Sequence, residues 1–134
     1  MTILKAIIER AENNYSAYFE HLDGVIATGA TLEEIKTNLT EAIDAYIKTS
    51  RELGYKIPKE LEGAYQISFS MDVQSLLSFY EGVFTKAGLE RLTGINQKQL
   101  WHYANGISRP RRPQIERIEK ALHRLGAELS SITL

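Results

Sequence analysis

The period of the hydrophobic residues changes once along this chain, near residue 70, and that change limits the folds open to it. Before residue 70, apolar and polar residues alternate in short runs such as "YSAYF" and "AYQISFS", apart from one longer helical stretch. A period of two is typical of half-buried strands. After residue 70, apolar residues recur every three or four positions, which is typical of amphipathic helices. The sequence therefore predicts a sheet-containing module, residues 1–70, followed by an all-helical module, residues 71–134.

Three short strands joined by tight turns are predicted at the start of the first module. They lie in "TILKAIIE", "YSAYF" and "VIATG", and the last two are separated by Asp23-Gly24, which is a hairpin signal. Consecutive strands with short connections pair antiparallel. This part of the chain is therefore predicted to be an antiparallel meander.

One long helix and a fourth strand complete the first module. Thr31 and Glu34 form a capping-box pattern, in which the Thr oxygen accepts a free N–H and the Glu side chain reaches back to the cap. An apolar stripe then runs at helical spacing from Leu32 to Ile47, and "AYQISFS" returns to alternation. The predicted order is βββαβ, a small sheet with one helix packed across it, so the fold class is α+β.

Four helices are predicted in the second module. Polar residues that favour a helix N-terminus precede the first three of them, namely Asp72, Thr85 and Asn96. Pro113 falls in the first turn of the fourth, where its missing N–H costs nothing. Gly126 is expected to end that helix, and "SSITL" is expected to form a short terminal strand.

The segment "TGINQKQLWHYANG" joins the second and third of these helices and has the features of a helix-turn-helix. Gly94 permits the left-handed backbone that turns the chain, and Leu100 is expected to hold the next helix to the core. The residues expected to face a DNA major groove are Asn96, Gln97, Lys98, Gln99, Trp101 and His102. Gln can pair with adenine, and Lys can reach guanine acceptors or phosphates.

Basic residues follow this segment in "SRPRRPQIER". Arg109, Arg111 and Arg112 are expected to contact phosphates and so fix the position of the protein on DNA. Two roles are open for Trp101. Its ring can contact thymine methyls, or it can pack on the loop around Ile107. The alternative to DNA binding is that the four helices form a small bundle with no ligand.

Residues 85–126 resemble the Cro/repressor-like helix-turn-helix family, which implies DNA binding. The residues that carry the resemblance are Leu89, Gly94, Ile95, Gln97, Leu100, Asn105, Gly106, Pro110 and the closing "ALHRLG". One position departs from the family pattern. Glu90 stands where the family usually has a small residue.

Charge is distributed unevenly between the modules. Residues 1–70 hold 7 basic and 11 acidic side chains, a balance of −4, whereas residues 71–134 hold 9 and 6, a balance of +3. The basic half suits nucleic acid, and the acidic half suits a basic partner. Glu20, His21, Asp23 and an exposed strand edge are the candidate contacts for such a partner.

Residues 3–70 resemble the HicB antitoxin family, above all in "YSAYFEHLDG" and "TGATLEEI". The resemblance implies a trimmed ribonuclease-H-like fold and an antitoxin function. Such a protein inhibits a HicA-type toxin that cuts mRNA, and it represses its own operon by binding double-stranded operator DNA. A repressor of this kind reads two half-sites, so we expect a homodimer or a tetramer.

Composition excludes several other classes of protein. The chain has 0 cysteines, which removes disulfides and Cys-based zinc sites, and no apolar run approaches the roughly 20 residues of a membrane span. The N-terminus lacks the pattern of a signal peptide. We therefore expect a cytoplasmic protein without metal or cofactor.

Two rival functions remain at this level. One is a transcription regulator whose sheet domain senses a small ligand. The other is a residual metal-dependent ribonuclease, for which the available carboxylates are Glu9, Glu20, Asp23, Glu33 and Glu34. Helix capping accounts for Glu33 and Glu34, and the turn accounts for Asp23. The expected protein is therefore not an enzyme.

Overall fold

The computed structural model describes all 134 residues, which divide into two compact units, Met1–Met71 and Asp72–Leu134. The first unit holds a four-stranded sheet and one long α-helix, and the second holds four α-helices. The α+β fold class is therefore confirmed. The elements of the first unit are β1 (Thr2–Arg10), β2 (Tyr15–Phe19), β3 (Ile26–Gly29), α1 (Leu32–Glu52), a 3-10 turn (Lys59–Leu61) and β4 (Tyr65–Ser70). Those of the second are α2 (Val73–Phe79), α3 (Lys86–Thr93), α4 (Gln97–Ala104) and α5 (Arg112–Ser130).

The strand order in the sheet is β3-β2-β1-β4. The first three strands form the predicted antiparallel meander. The fourth strand pairs with β1 in parallel, since the chain first crosses the sheet through α1. Both β3 and β4 are therefore edge strands.

Helix α1 packs against one face of the sheet, and small side chains on the strands let it approach closely. Ala17 and Ala27 are paired in register on this face and are buried. Gly29 lies at its edge, where an added Cβ would come within 2.8 Å of Cγ1 of Ile35. Ile35 is fully buried, as are Leu39 and Ile43 further along α1. The apolar side chains of α1 and the buried side chains of the strands thus form one core.

The N-terminus of α1 confirms the predicted cap. Thr31 Oγ1 accepts a hydrogen bond from the N–H of Glu34 at 3.1 Å. The Glu34 carboxylate accepts from the N–H of Ala30 at 3.5 Å, one residue before the expected donor. Both acceptors lie at the positive end of the helix dipole, so they stabilise the start of α1.

The second unit also begins its helices at the predicted caps. The side chain of Asp72 accepts from the N–H of Ser75 at 2.7 Å, and that of Thr85 from the N–H of Gly88 at 2.9 Å. The core of the unit joins all four helices and is formed by Val73, Leu77, Leu89, Ile95, Leu100, Tyr103 and Ile118.

Two predictions about the C-terminal end were wrong. Helix α5 continues through Gly126 to Ser130, and residues 131–134 form no strand. A glycine ends a helix when it adopts a positive φ, which Gly126 does not. An isolated strand leaves its backbone groups unpaired, and the second unit contains no other strand.

Candidate functional site

Three consecutive residues, Thr93, Gly94 and Ile95, build the turn between α3 and α4. Gly94 has φ 74°, and its N–H donates to the carbonyl oxygen of Glu90 at 2.7 Å. Ile95 is 3% exposed and fills the angle between the helices. The buried hydroxyl of Thr93 donates to the carbonyl oxygen of Leu89 at 2.7 Å and accepts from the N–H of Ile95 at 3.1 Å. Sequence reasoning missed the part played by Thr93, which closes the turn from inside.

Helix α4 starts at the predicted cap and is held by two buried side chains. Asn96 Oδ1 accepts from the N–H of Lys98 at 2.8 Å. Leu100 and Tyr103 are 0% and 5% exposed and pack into the core. Because these anchors lie on one side of α4, the opposite side faces solvent.

Gln97 and Lys98 lie on that solvent side, at the N-terminal end of α4. The Gln97 amide donates from Nε2 to Oε2 of Glu90 at 3.0 Å. This contact explains the one departure from the helix-turn-helix pattern, since the Glu90 carboxylate reaches across the turn and orients the first side chain of α4. Lys98 extends beside it without such a restraint.

The other predicted residues of α4 are more engaged with the protein. Gln99 is half-buried and donates from Nε2 to Oγ of Ser108 at 3.0 Å, which ties α4 to the loop before α5. His102 is half-buried, and its ring centre lies 5.8 Å from that of Trp101. Trp101 itself is 50% exposed. The surface of α4 that a ligand can reach therefore centres on Gln97, Lys98 and Trp101.

The arginines that follow α4 divide into two groups. Arg109 and Arg111 are exposed in the loop before α5, as a phosphate contact requires. Arg112 is also exposed, but its Nε lies 3.3 Å from Oε1 of Glu116, one turn further along α5. Arg117 lies against the turn, with Nη2 close to Gly94. Arg109 and Arg111 therefore leave their charges open to a ligand, whereas Arg112 and Arg117 lie close to other residues of the protein.

An acidic group lies on the sheet face that α1 leaves open. The hydroxyl of Tyr18 donates to Oε1 of Glu9 at 3.1 Å. This hydrogen bond raises the pKa of Tyr18, and desolvation and the negative charges of Glu9 and Glu20 raise it further. The pairing register puts Tyr18 between Ile7 and Ile26, which is 66% exposed. Sequence reasoning missed this row, although alternation places it opposite the buried Ala17.

The three residues predicted to contact a protein partner lie together at the end of β2. Oε2 of Glu20 and Nε2 of His21 are 4.0 Å apart, and their side chains are 66% and 96% exposed. Asp23 is exposed in the same turn, beside Gly24 with φ 85°. Leu22 is buried and anchors the turn to the core. The turn therefore presents two carboxylates and an imidazole to solvent.

An open groove of about 490 Å³ lies beside β4 in the first unit. Its lining residues come from α1 and β4: Lys36, Thr40, Tyr65, Gln66 and Ile67. The pKa of Tyr65 is raised by burial and by the charge of Asp44. No group of three or more His, Asp or Glu residues in the protein is arranged to hold a metal ion.

A match to a protein family covers most of the first unit. Residues 2–58, which run from β1 to six residues beyond the end of α1, match the family described as UPF0150-like. A UPF0150 protein of Helicobacter pylori (strain J99 / ATCC 700824) is 38% identical over 45 residues, which are 34% of this chain and 62% of that protein. The chain thus spans less than two thirds of this relative's length. No solved structure matches. No helix has the length and apolar character needed to cross a membrane.

Proposed function

We propose that this protein is the antitoxin of a type II toxin–antitoxin pair and the repressor of its own operon. The observation that carries the proposal is the exposed N-terminal end of α4, beyond a glycine turn, in a basic unit that follows an acidic one. The second unit would bind double-stranded operator DNA, and the first would bind and inhibit a HicA-type toxin that cleaves mRNA. The match of the first unit to the UPF0150-like family supports a fold that the first unit shares with that family.

The dimensions of α4 support DNA binding. An α-helix with its side chains is about 10–12 Å across, and the major groove is about 12 Å wide, so the exposed side of α4 can enter the groove. Gln97 and Lys98 stand at the end that would enter the groove, and Glu90 limits the rotamers of Gln97 before binding. An amide held in place loses less conformational entropy when it pairs with a base. Arg109 and Arg111 would hold phosphates on the adjoining backbone.

The charge and position of the β2–β3 turn support toxin binding. A toxin that cuts mRNA needs a basic surface to hold the phosphates of its substrate. Glu20 and Asp23 would compete with RNA for such a surface, and the balance of −4 in residues 1–70 would attract it over a distance. The row of Ile7, Tyr18 and Ile26 adds apolar area beside these charges.

A gel-shift titration against DNA from upstream of the protein's own coding sequence tests the repressor function. The double variant Gln97→Ala/Lys98→Ala is expected to weaken binding by about tenfold or more, because each lost base contact is worth about 1–3 kcal/mol. Lys56→Ala, an exposed lysine of the first unit, is the matched control and is expected to bind normally. If the double variant bound as tightly as the wild type, α4 would not be the helix that contacts the bases.

Growth rescue tests the antitoxin function. The full-length protein, co-expressed with a HicA-type toxin, is expected to restore growth, and Glu20→Arg/Asp23→Arg is expected to lose the rescue because it reverses the charge of the turn. Glu52→Arg/Glu60→Arg makes the same change of charge at other exposed positions and serves as the control. Rescue by the turn variant at wild-type strength would exclude the turn as the contact.

One alternative is a regulator whose first unit senses a small ligand, and the open groove beside β4 is the candidate site for it. Its volume lies in the range of small-molecule sites, and Lys36 would attract an anionic ligand. Calorimetric titration with anionic metabolites would detect such a ligand. The proposal assigns no catalysis to the protein, and incubation with labelled RNA across a Mg²⁺ or Mn²⁺ titration tests that point, since cleavage would make it a ribonuclease.

A further inference from the structure

Glu90 contacts both sides of the turn between α3 and α4. Its backbone carbonyl oxygen accepts from the N–H of Gly94 at 2.7 Å, and Oε2 of its side chain accepts from Nε2 of Gln97 at 3.0 Å. Glu90 is half-buried, whereas Gln97 is exposed. The carboxylate forms no salt bridge, so its side-chain partner is the amide of Gln97. One residue of α3 therefore holds the turn through its backbone and the first side chain of α4 through its carboxylate.

The chemistry of this pair determines which atom of the Gln97 amide faces Glu90. An ionised carboxylate only accepts hydrogen bonds, while a glutamine amide has one accepting oxygen and two N–H groups on Nε2. If the amide turned over, Oε1 of Gln97 would face Oε2 of Glu90, and two acceptors would meet without a proton between them. An acceptor left without its donor at a half-buried site costs free energy. The contact therefore keeps Nε2 toward α3 and leaves Oε1 and one N–H of Gln97 for a ligand.

The groups that remain on Gln97 match one base better than the others. In the major groove adenine presents a donor, its N6 amino group, and an acceptor, N7, so one amide oxygen and one N–H satisfy both. Guanine presents two acceptors, O6 and N7. A glutamine needs both of its N–H groups to satisfy them, and Glu90 already occupies one. With Glu90 in place, Gln97 can thus make two hydrogen bonds to adenine but only one to guanine.

We propose that Glu90 is a positioning residue that sets base preference: it occupies one N–H of Gln97 and so selects adenine over guanine at the base pair that Gln97 contacts. The inference rests on the proposed operator binding and deepens it, because it names the base and the residue that determines it. Glu90 acts through Gln97 and needs no contact with the DNA. Its negative charge repels the phosphates of any sequence, so Glu90 lowers general affinity while it sharpens the preference.

Selection of bound sequences from double-stranded DNA with a randomised segment tests the proposal on the full-length protein. The wild type is expected to recover adenine at one base pair and to bind the guanine variant about tenfold or more weakly. Glu90→Ala frees both N–H groups of Gln97, so it is expected to bind the two variants within about threefold of each other. Its affinity for other DNA is expected to be equal or higher, because a negative charge is gone.

Two controls accompany Glu90→Ala. Glu119→Ala removes an exposed carboxylate from α5 of the same unit and is expected to keep the preference for adenine. Alanine favours the helix at position 90, and circular dichroism verifies that the unit stays folded. In a Gln97→Ala background, Glu90→Ala is expected to leave the base preference unchanged, because no amide remains to be positioned. A merely structural role of Glu90 would instead lower affinity for every sequence in both backgrounds.

NMR of the free protein tests the contact without DNA. One Nε2 proton of Gln97 is expected to resonate downfield of those of Gln66, an exposed glutamine of the first unit, and Glu90→Ala is expected to remove the difference. If Glu90→Ala kept the wild-type preference for adenine, or lost affinity for all sequences alike, the inference would be overturned while the proposed DNA binding stood. A wild type that bound no DNA would overturn the proposed function and this inference with it.

Discussion

Arg117 of α5 lies directly over Gly94, the residue that ends α3. A Cβ built on Gly94 would come within 2.9 Å of Nη2 of Arg117. The guanidinium thus lies near the C-terminal end of α3, where the helix dipole favours a positive charge. The last helix of the unit therefore places a positive charge beside the turn that precedes α4.

Gly94→Ala is expected to destabilise the second unit by about 1–2 kcal/mol, because φ 74° is costly for a residue with a Cβ. The crowding by Arg117 adds little, since the end of that side chain can move. Urea unfolding followed by the fluorescence of Trp101, the single tryptophan, measures the effect. Gly82→Ala, where no atom lies within 4 Å and φ is not positive, is the control and is expected to change stability far less.

Thr93→Val tests the inside of the same turn. Valine has nearly the same shape but leaves the N–H of Ile95 without its buried acceptor, which costs about 1–3 kcal/mol. The same fluorescence assay reports the change. Thr40→Val is the control, because it removes a hydroxyl that donates to the carbonyl oxygen of Lys36 at a solvent-accessible position of α1. If Thr40→Val lowered the free energy of unfolding as much as Thr93→Val, the effect at Thr93 would not be due to the burial of its hydrogen bond.

Gly29→Ala is expected to destabilise the first unit by about 1–3 kcal/mol through overpacking. Its Cβ would lie 2.8 Å from Cγ1 and 3.1 Å from the backbone nitrogen of Ile35, so α1 itself would have to shift. Circular dichroism in urea reports both units, and the change that does not coincide with the fluorescence of Trp101 belongs to the first unit, which has no tryptophan. Gly63→Ala meets no atom within 4 Å and should unfold like the wild type.

If the second unit binds operator DNA as proposed, Arg109→Ala and Gln97→Ala are expected to weaken that binding in different ways. Loss of a phosphate contact at Arg109 is expected to lower affinity equally for all sequences and to reduce the salt slope by about 0.9. Loss of Gln97 is expected to relax the preference at one base pair and leave the salt slope unchanged. Binding isotherms at several salt concentrations, on the operator and on its single-base variants, separate the two. If both variants changed the affinity, the salt slope and the base preference in the same way, Arg109 and Gln97 would not have the separate roles of phosphate contact and base contact.

Tyr18 links the stability of the first unit to alkaline pH. Its pKa in the folded state is raised above 10.0 because the hydroxyl donates to Glu9 and because Glu9 and Glu20 are negative. The neutral form therefore stabilises the fold below pH 10.0, and this contribution is lost as pH rises through the higher folded pKa.

Absorbance of tyrosinate in the folded protein measures this effect. Tyr18→Phe is expected to remove a late step of the titration, and Glu9→Gln is expected to move that step to lower pH. Tyr65, whose pKa is also raised, remains as an internal reference. Tyr55→Phe, at a side chain that is 67% exposed, should leave the Tyr18 step in place.

Much of the local structure could be predicted from the sequence, because the interactions that produce it act within one helical turn or one strand. Thr31, Asp72, Thr85 and Asn96 each accept an N–H two or three residues ahead, so their position in the chain was enough to locate four helix starts. Gly94 was identified as the turn for the same reason. The alternation in "YSAYF" likewise predicted the strand β2, in which Ala17 and Phe19 lie on one side and are both buried.

Only the tertiary structure decided how distant residues act on one another. The contact of Glu90 with Gln97, the position of Arg117 over Gly94, and the closeness of Gly29 to Ile35 all depend on the angle and distance between elements. The helical course of Gly126 depends on its φ, which its identity leaves free. A glycine can either continue a helix or end it, and the apolar spacing of α5 is the same whether its residues are buried or exposed. The local sequence therefore does not decide between these outcomes. The packing of α5, rather than its sequence, determines where burial ends and where its apolar stripe is left exposed to solvent.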